Sequence, residues 1–400
     1  APCEIATLEN IRWLSENSSE WVSTKSYKQT VDIDASYSAS LNAGEGWTPI
    51  GNSTNSFEGS YDGNNTIISN LYINRTTTES QGLFGKVKYG STIKDLTLKD
   101  ANITVNSGST IGVGVLVGKA GQEAQANVTL SNINIDGGTL TASGSVSYVG
   151  GLVGGFYQGN ITNSHSSAVL EHTGTSFGLM GGLIGYAEFA DISKSSSDGN
   201  VTKQTDNISV GGFIGQVQSD SNISQCYSSG TLKNTNGGRI GGFVGMLDDR
   251  GDGQVIIEDS YTRSDISVTV ASYVGGFFSI PTSSASNQVV FSNIYAAGTI
   301  SVGSWGGLGS IVDSDNVYEV DILNSFWDKE TTGTTQMAAY YNDGTTDITI
   351  FPQFDSLAGK TTVQMKTLST FTDASWSFSD SATSSENIWD MDDSNTTNDG

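Results

Sequence analysis

Along most of the chain, apolar and polar residues alternate. One segment recurs and reads Ile161-Thr-Asn-Ser164-His165, Ile192-Ser-Lys-Ser195-Ser196, Ile223-Ser-Gln-Cys226-Tyr227, Ile257-Glu-Asp-Ser260-Tyr261, Phe291-Ser-Asn-Ile294-Tyr295 and Ile322-Leu-Asn-Ser325-Phe326. Beyond it, alternate positions stay small and then become large, as in Cys226, Ser228, Gly230, Leu232 or Ser164, Ser166, Ala168, Leu170. A period of two predicts strands with one face inward. Small inward residues mark a place where opposite walls approach closely. The residue after each inward Ser or Cys points outward. His165, Tyr227, Tyr261, Tyr295 and Phe326 are therefore expected as a stripe along one edge, interrupted at Ser196.

A second phrase alternates with the first. Two small residues, two apolar residues and a glycine occur eight times, from Gly82-Leu83-Phe84-Gly85 to Gly306-Gly307-Leu308-Gly309. Between them lie copies such as Gly150-Gly151-Leu152-Val153-Gly154 and Gly241-Gly242-Phe243-Val244-Gly245. Marked on the residue before the apolar pair, the gaps are 33, 36, 31, 30, 30, 34 and 31. A period in this range signals stacked units, none of which buries its apolar face alone. The expectation is an all-β, parallel β-solenoid of about 8–9 coils. At each glycine corner an added Cβ is expected to meet either a positive-φ turn or the neighbouring coil.

Both ends depart from the repeat, as open solenoid edges require caps. Leu8, Ile11 and Leu14 fall at helical spacing behind Thr7, a plausible N-cap, so a helix is expected over 7–16. Residues 326–390 lose the glycine phrase and gain Trp327, Trp376 and Trp389, which reads as a C-terminal cap or small appended domain. The expected division is an N-terminal cap over 1–60, repeats over 61–325, the C-terminal unit over 326–390, and an acidic tail or linker over 391–400.

Composition sharpens this picture. The chain has 49 Gly and 4 Pro, which suits short strands and many turns. Its net charge of −24 argues against nucleic acid and against an anionic membrane surface. No stretch approaches 18 apolar residues, so no membrane-inserted helix is expected. Two cysteines are too few for a disulfide framework, and Cys226 falls about five coils from Cys3, so no bridge between them is expected. Eleven Asn-X-Ser/Thr sequons fit an exported chain.

Candidate chemistry is sparse. The two histidines are His165, in the aromatic column, and His172, in the turn-like Glu171-His-Thr-Gly. Neither spacing suggests a zinc site, and no nucleophile elbow is visible. The densest acidic cluster within the repeats is Asp248-Asp249-Arg250-Gly251-Asp252-Gly253. Asp248, Asp249 and Asp252 could offer oxygen ligands to Ca²⁺, the one cofactor this pattern suggests. Paired Asp or Glu columns, as a polysaccharide lyase or glycosidase would need, do not recur on neighbouring coils.

The Gly-Gly-Leu-Val-Gly phrase with the Ile-x-x-Cys/Ser-Tyr segment resembles the GLUG-motif repeats of bacterial and archaeal surface proteins. The lead-in Gly46-Trp47-Thr-Pro-Ile-Gly51 and the exit Ser325-Phe-Trp-Asp328 resemble that family too. The resemblance implies a β-solenoid in a cell-surface or extracellular setting and brings no catalytic residues. The expected function is adhesion or a structural role in a surface assembly, without enzymatic activity. The expected partner is a glycan, a cell-surface or matrix protein, or another copy of the chain. A polysaccharide-active enzyme and a self-assembling fibre subunit are the rival readings.

Overall fold

One coil shows how the pattern closes. Ile214–Gln218 runs along one face, turns through Ser219 and Asp220 at positive φ, and continues as Ser221–Ser224 on a second face. Gln225 then takes a left-handed backbone (φ 55°) and bends the chain before Tyr227–Ser228. Thr231–Asn234 and Gly238–Gly241 form the third face. The phrase Gly241-Gly242-Phe243-Val244 makes the next corner, and Val244–Asp248 begins the next coil. The computed structural model describes residues 1–121, 127–174, 178–204, 208–235, 237–248, 253–269, 273–280, 288–301, 306–311, 319–340, 358–379 and 389–390.

Among the described residues, the coils stack as a parallel β-solenoid with sheets of 17, 12 and nine strands. The nine-stranded sheet takes one strand per coil and so spans nine coils. Register holds identical positions together. Ile161 pairs with Ile192, then Ile223, Ile257, Phe291 and Ile322. Leu170, Val201, Leu232, Ile266 and Ile300 form a second such column. Inside, Phe213, Phe243 and Phe277 stack with centroids 4.7 Å apart at each step. Each such fully buried side chain contributes about 1.5–3 kcal/mol relative to leaving it exposed.

Gly212 and Gly242 lie outside the positive-φ region. Of the two expected reasons for glycine here, the neighbouring coil is the operative one. A Cβ on Gly212 would fall on the carbonyl oxygen of Gly242, and one on Gly242 would fall on that of Gly276. The small inward column meets this corner from across the coil. Ser197 Oγ donates to Gly212 O at 2.6 Å and Ser228 Oγ donates to Gly242 O at 2.8 Å.

A further column sets the bend beside the tyrosines. Asp95, Asn132, Asn163, Lys194, Gln225, Asp259, Asn293 and Asn324 all have φ between 49° and 55°. Asn and Asp tolerate this conformation better than other non-glycine residues. The serine that follows secures the bend twice. Ser260 Oγ donates to Glu258 O (2.7 Å) and accepts from Cys226 N–H in the coil before it (3.1 Å). Ser195 and Ser164 repeat the arrangement.

Helix α1 (Leu8–Glu16) is capped by Thr7, whose side chain accepts from Asn10 N–H. It buries Leu8, Ile11 and Leu14, the residues at helical spacing in the sequence. Trp21 Nε1 donates to Leu14 O at 2.7 Å and fixes the helix to the first coil. At the other end Trp327 replaces the small inward residue, in register with Ala296. Its fully buried indole plugs the interior and donates to Thr334 O at 3.0 Å. Helices α2 (Thr362–Met365) and α3 (Leu368–Thr372) follow, and α2 carries a capping box between Thr361 and Gln364.

Candidate functional site

The aromatic stripe is a single register column. His165 pairs with Ser196, Ser196 with Tyr227, Tyr227 with Tyr261, Tyr261 with Tyr295, and Tyr295 with Phe326. The tyrosine rings lie nearly parallel. Tyr227 and Tyr261 are 5.1 Å apart at 8°, and Tyr261 and Tyr295 are 4.8 Å apart at 5°. The ring faces are therefore turned toward one another along the solenoid axis. What the ladder offers sideways is ring edges and phenol hydroxyls. The Arg263 guanidinium sits 5.9 Å from the Tyr261 centroid.

Only part of the stripe is surface. Tyr227 is 37% exposed, whereas Tyr295 and Phe326 are 6% and 7% exposed. The C-terminal cap is the cause. Phe371 packs against Phe326 at 5.6 Å, and Trp376 lies 6.3 Å from Tyr295 and 5.9 Å from Phe326. Trp376 Nε1 donates to Asn324 O at 2.7 Å. Burial pushes the Tyr295 phenol up to about 12. Tyr295 and Phe326 thus belong to a covered aromatic cluster against which Tyr261 is half-buried, and the accessible ladder is Tyr227 with the remaining edge of Tyr261.

At the interruption the chain brings together three polar groups. His165 Nδ1 is 2.8 Å from Ser196 Oγ, and His165 Nε2 is 3.5 Å from Asp198 Oδ1. A Ser-His-Asp trio needs N–H donors aimed where an oxyanion would form. Here Ser196 N–H donates to Ser164 O and Asp198 N–H to Ser166 O, both within the coil ladder. Ser196 is also buried at 7% exposure. The arrangement holds the His165 ring in place and gives the serine no anion-stabilising pocket from its own ladder amides.

His172 lies in strand Val169–His172, not in a turn, and its side chain is buried. Its Nε2 is 3.1 Å from Val146 O, and its Nδ1 is 3.4 Å from Lys203 Nζ, also buried. Burial first, and then Lys203, lowers the imidazole to about 4. A neutral ring locked against a carbonyl serves packing.

Of the acidic cluster, Asp248 ends strand Val244–Asp248, while Asp249 and Asp252 lie outside the described residues. Cys3 and Cys226 are both free thiols, one exposed and one buried. Burial pushes Cys226 up to about 12, so it is an inert core residue.

A second aromatic group lies outside the column expected from the alternation. Tyr148, Tyr157 and Tyr186 cluster with centroids 5.2–6.4 Å apart, and Lys119 Nζ lies 5.2 Å from the Tyr148 ring. The signal was present. Lys86, Lys119 and Tyr186 each fall two residues after the second apolar position of a glycine phrase, so they share an outward column.

Comparison with known proteins agrees with this architecture. The GLUG motif family matches residues 178–202 and 206–233. Halomucin of Haloquadratum walsbyi is 33% identical over 174 residues, covering 42% of this chain and 2% of halomucin. The immunoglobulin A1 protease of Streptococcus sanguinis is 32% identical over 212 residues, covering 48% of this chain and 10% of that protein. The chain thus spans a tenth or less of these two relatives. The crystal structure of a Bacteroides ovatus protein assigned to the immunoglobulin A1 proteases superposes with a TM-score of 0.50 at 18% identity. It covers 82% of this chain and 85% of that one, a likeness of fold. The matched repeats, set in one continuous register from coil to coil, make this chain a β-solenoid that carries GLUG-motif repeats.

Proposed function

We propose that this chain is a non-enzymatic module of a cell-surface or extracellular protein, acting in adhesion or as a structural element. One observation carries the reading: both histidines in the sequence are committed to the scaffold. His172 is buried and held neutral between Val146 and Lys203. His165 is bound to a buried serine whose own N–H is spent in the ladder. Among the described residues, no group of three or more His, Cys, Asp and Glu is placed to hold a metal ion. A module of this kind works through extended surface, and the Tyr227–Tyr261 edge is the favoured contact. Because the ring faces are stacked, that edge suits a protein partner, or a sugar at the Tyr227 end, better than a glycan laid along the ladder. The small share of halomucin and of the immunoglobulin A1 protease that matches supports a module within a longer protein.

The second reading is a part of a protease, favoured by the name of the Streptococcus sanguinis relative. An array of glycans and matrix proteins tests the module reading, and turnover of immunoglobulin A1 tests the second. The module reading expects retained, saturable binding that the double variant Tyr227→Ala/Tyr261→Ala weakens more than Asp249→Asn/Asp252→Asn. Equal loss in both double variants would remove the ladder from the contact.

A further inference from the structure

Near the N-terminal end, a cavity of about 270 Å³ opens between four segments of the chain. Trp21 and Val22, the loop around Ser53, Thr54 and Asn55, and Lys86, Lys88 and Lys119 line it. Three lysines against the one lining carboxylate, Glu58, invert the local charge in a chain whose net charge is −24. Glu58 is already used: its Oε1 takes Lys88 Nζ at 3.1 Å. Lys86 and Lys119 remain. They are register partners on adjacent strands, Phe84–Val87 and Val117–Ala120. Among the described residues, neither makes an ion pair.

Two like charges side by side are a cost that an anion would relieve. Burial, and then Lys86, pushes the Lys119 ammonium down from its ordinary range. Lys119 is held in place by the faces of Tyr148 and Tyr157, at 5.2 Å and 5.9 Å. Thr54 and Asn55 bring a hydroxyl and an amide to the lining, while Ser53 N–H and Oγ already donate to Glu79. Such groups suit a polyol as well as an anion. The cavity is slightly smaller than sites for drug-sized ligands, roughly 300–1,000 Å³. It therefore fits a single residue better than an extended segment.

We propose that this cavity binds one anionic sugar residue, its carboxylate or sulfate seated between Lys86 and Lys119 and its hydroxyls on Thr54 and Asn55. The site is separate from the tyrosine ladder, so its failure would leave the module reading standing.

Calorimetry or ligand-observed NMR on the full chain tests it. The probes are glucuronate, N-acetylneuraminate, N-acetylglucosamine 6-sulfate, N-acetylglucosamine and inorganic sulfate. The expected result is binding of at least one anionic sugar, weakened by salt and reduced tenfold or more in Lys86→Gln/Lys119→Gln. Lys233→Gln, a lysine of a distant coil, should leave it unchanged. The carboxylate and sulfate arms identify the preferred anion. Unaltered melting of the double variant would show that lost binding is not lost fold. Equal binding of inorganic sulfate would overturn the sugar assignment. Equal affinity in the double variant, or no anionic sugar bound at millimolar concentration, would overturn the site.

Discussion

Gly212 and Gly242 show how little room a single position leaves in a stacked coil. Their Cα atoms face the carbonyl oxygens of Gly242 and Gly276 in the coils that follow. Gly212→Val or Gly242→Val should destabilise by about 1–3 kcal/mol, the usual cost of overpacking. Gly108→Ala is the control, since a Cβ there meets nothing within 4 Å. Unchanged melting of both valine variants would contradict the corner geometry. His172 makes a second residue-scale prediction. Its folded value of about 4 lies below the ordinary 6.5. The unfolded chain then binds more protons between those values. Stability is complete above about pH 6.5 and falls as pH drops toward 4, by on the order of 3 kcal/mol. His172→Phe should flatten that part of a pH–melting curve, and an unchanged slope would show that the ring is not the cause.

At the scale of elements, the two caps differ in how far they could be read in advance. Helix α1 is local: Thr7 and the 8, 11, 14 spacing sit within eight residues, and the observed bounds follow them. The C-terminal cap is not local. Trp376 reaches back 52 residues to Asn324 O, and no periodicity encodes that contact. This is why Tyr295 and Phe326, outward by alternation, turn out to be covered. The left-handed column lies between these cases. Six of its eight positions are Asn or Asp, a legible hint, but Lys194 and Gln225 adopt the same φ because their coils are held in register. Trp376→Ala should cost about 3–5 kcal/mol, as for other large aromatics removed from cores. It should also let the Tyr295 phenol fall from about 12 toward the ordinary tyrosine value. A spectrophotometric titration that leaves the tyrosines unchanged would show that Trp376 does not cover the ladder.

For the whole molecule, the period of 30–36 residues and the alternation within it were enough to foresee a parallel solenoid, because each glycine phrase and each Ile-x-x-Ser segment marks a fixed place on a coil. The lysine cavity was not foreseeable in that way, since it draws on the segments at 18–22, 53–58, 86–88 and 119, which only the first coils bring together. In this reading the stacked coils act as surface and support. Turnover tests this most directly. The purified chain, with Ser196→Ala and His165→Ala beside it, would be incubated with immunoglobulin A1 and with common acidic and neutral polysaccharides, and the products separated by mass. Every substrate should stay intact with all three proteins. Cleavage by the unaltered chain that disappears in Ser196→Ala, or on changing a single carboxylate, would contradict it.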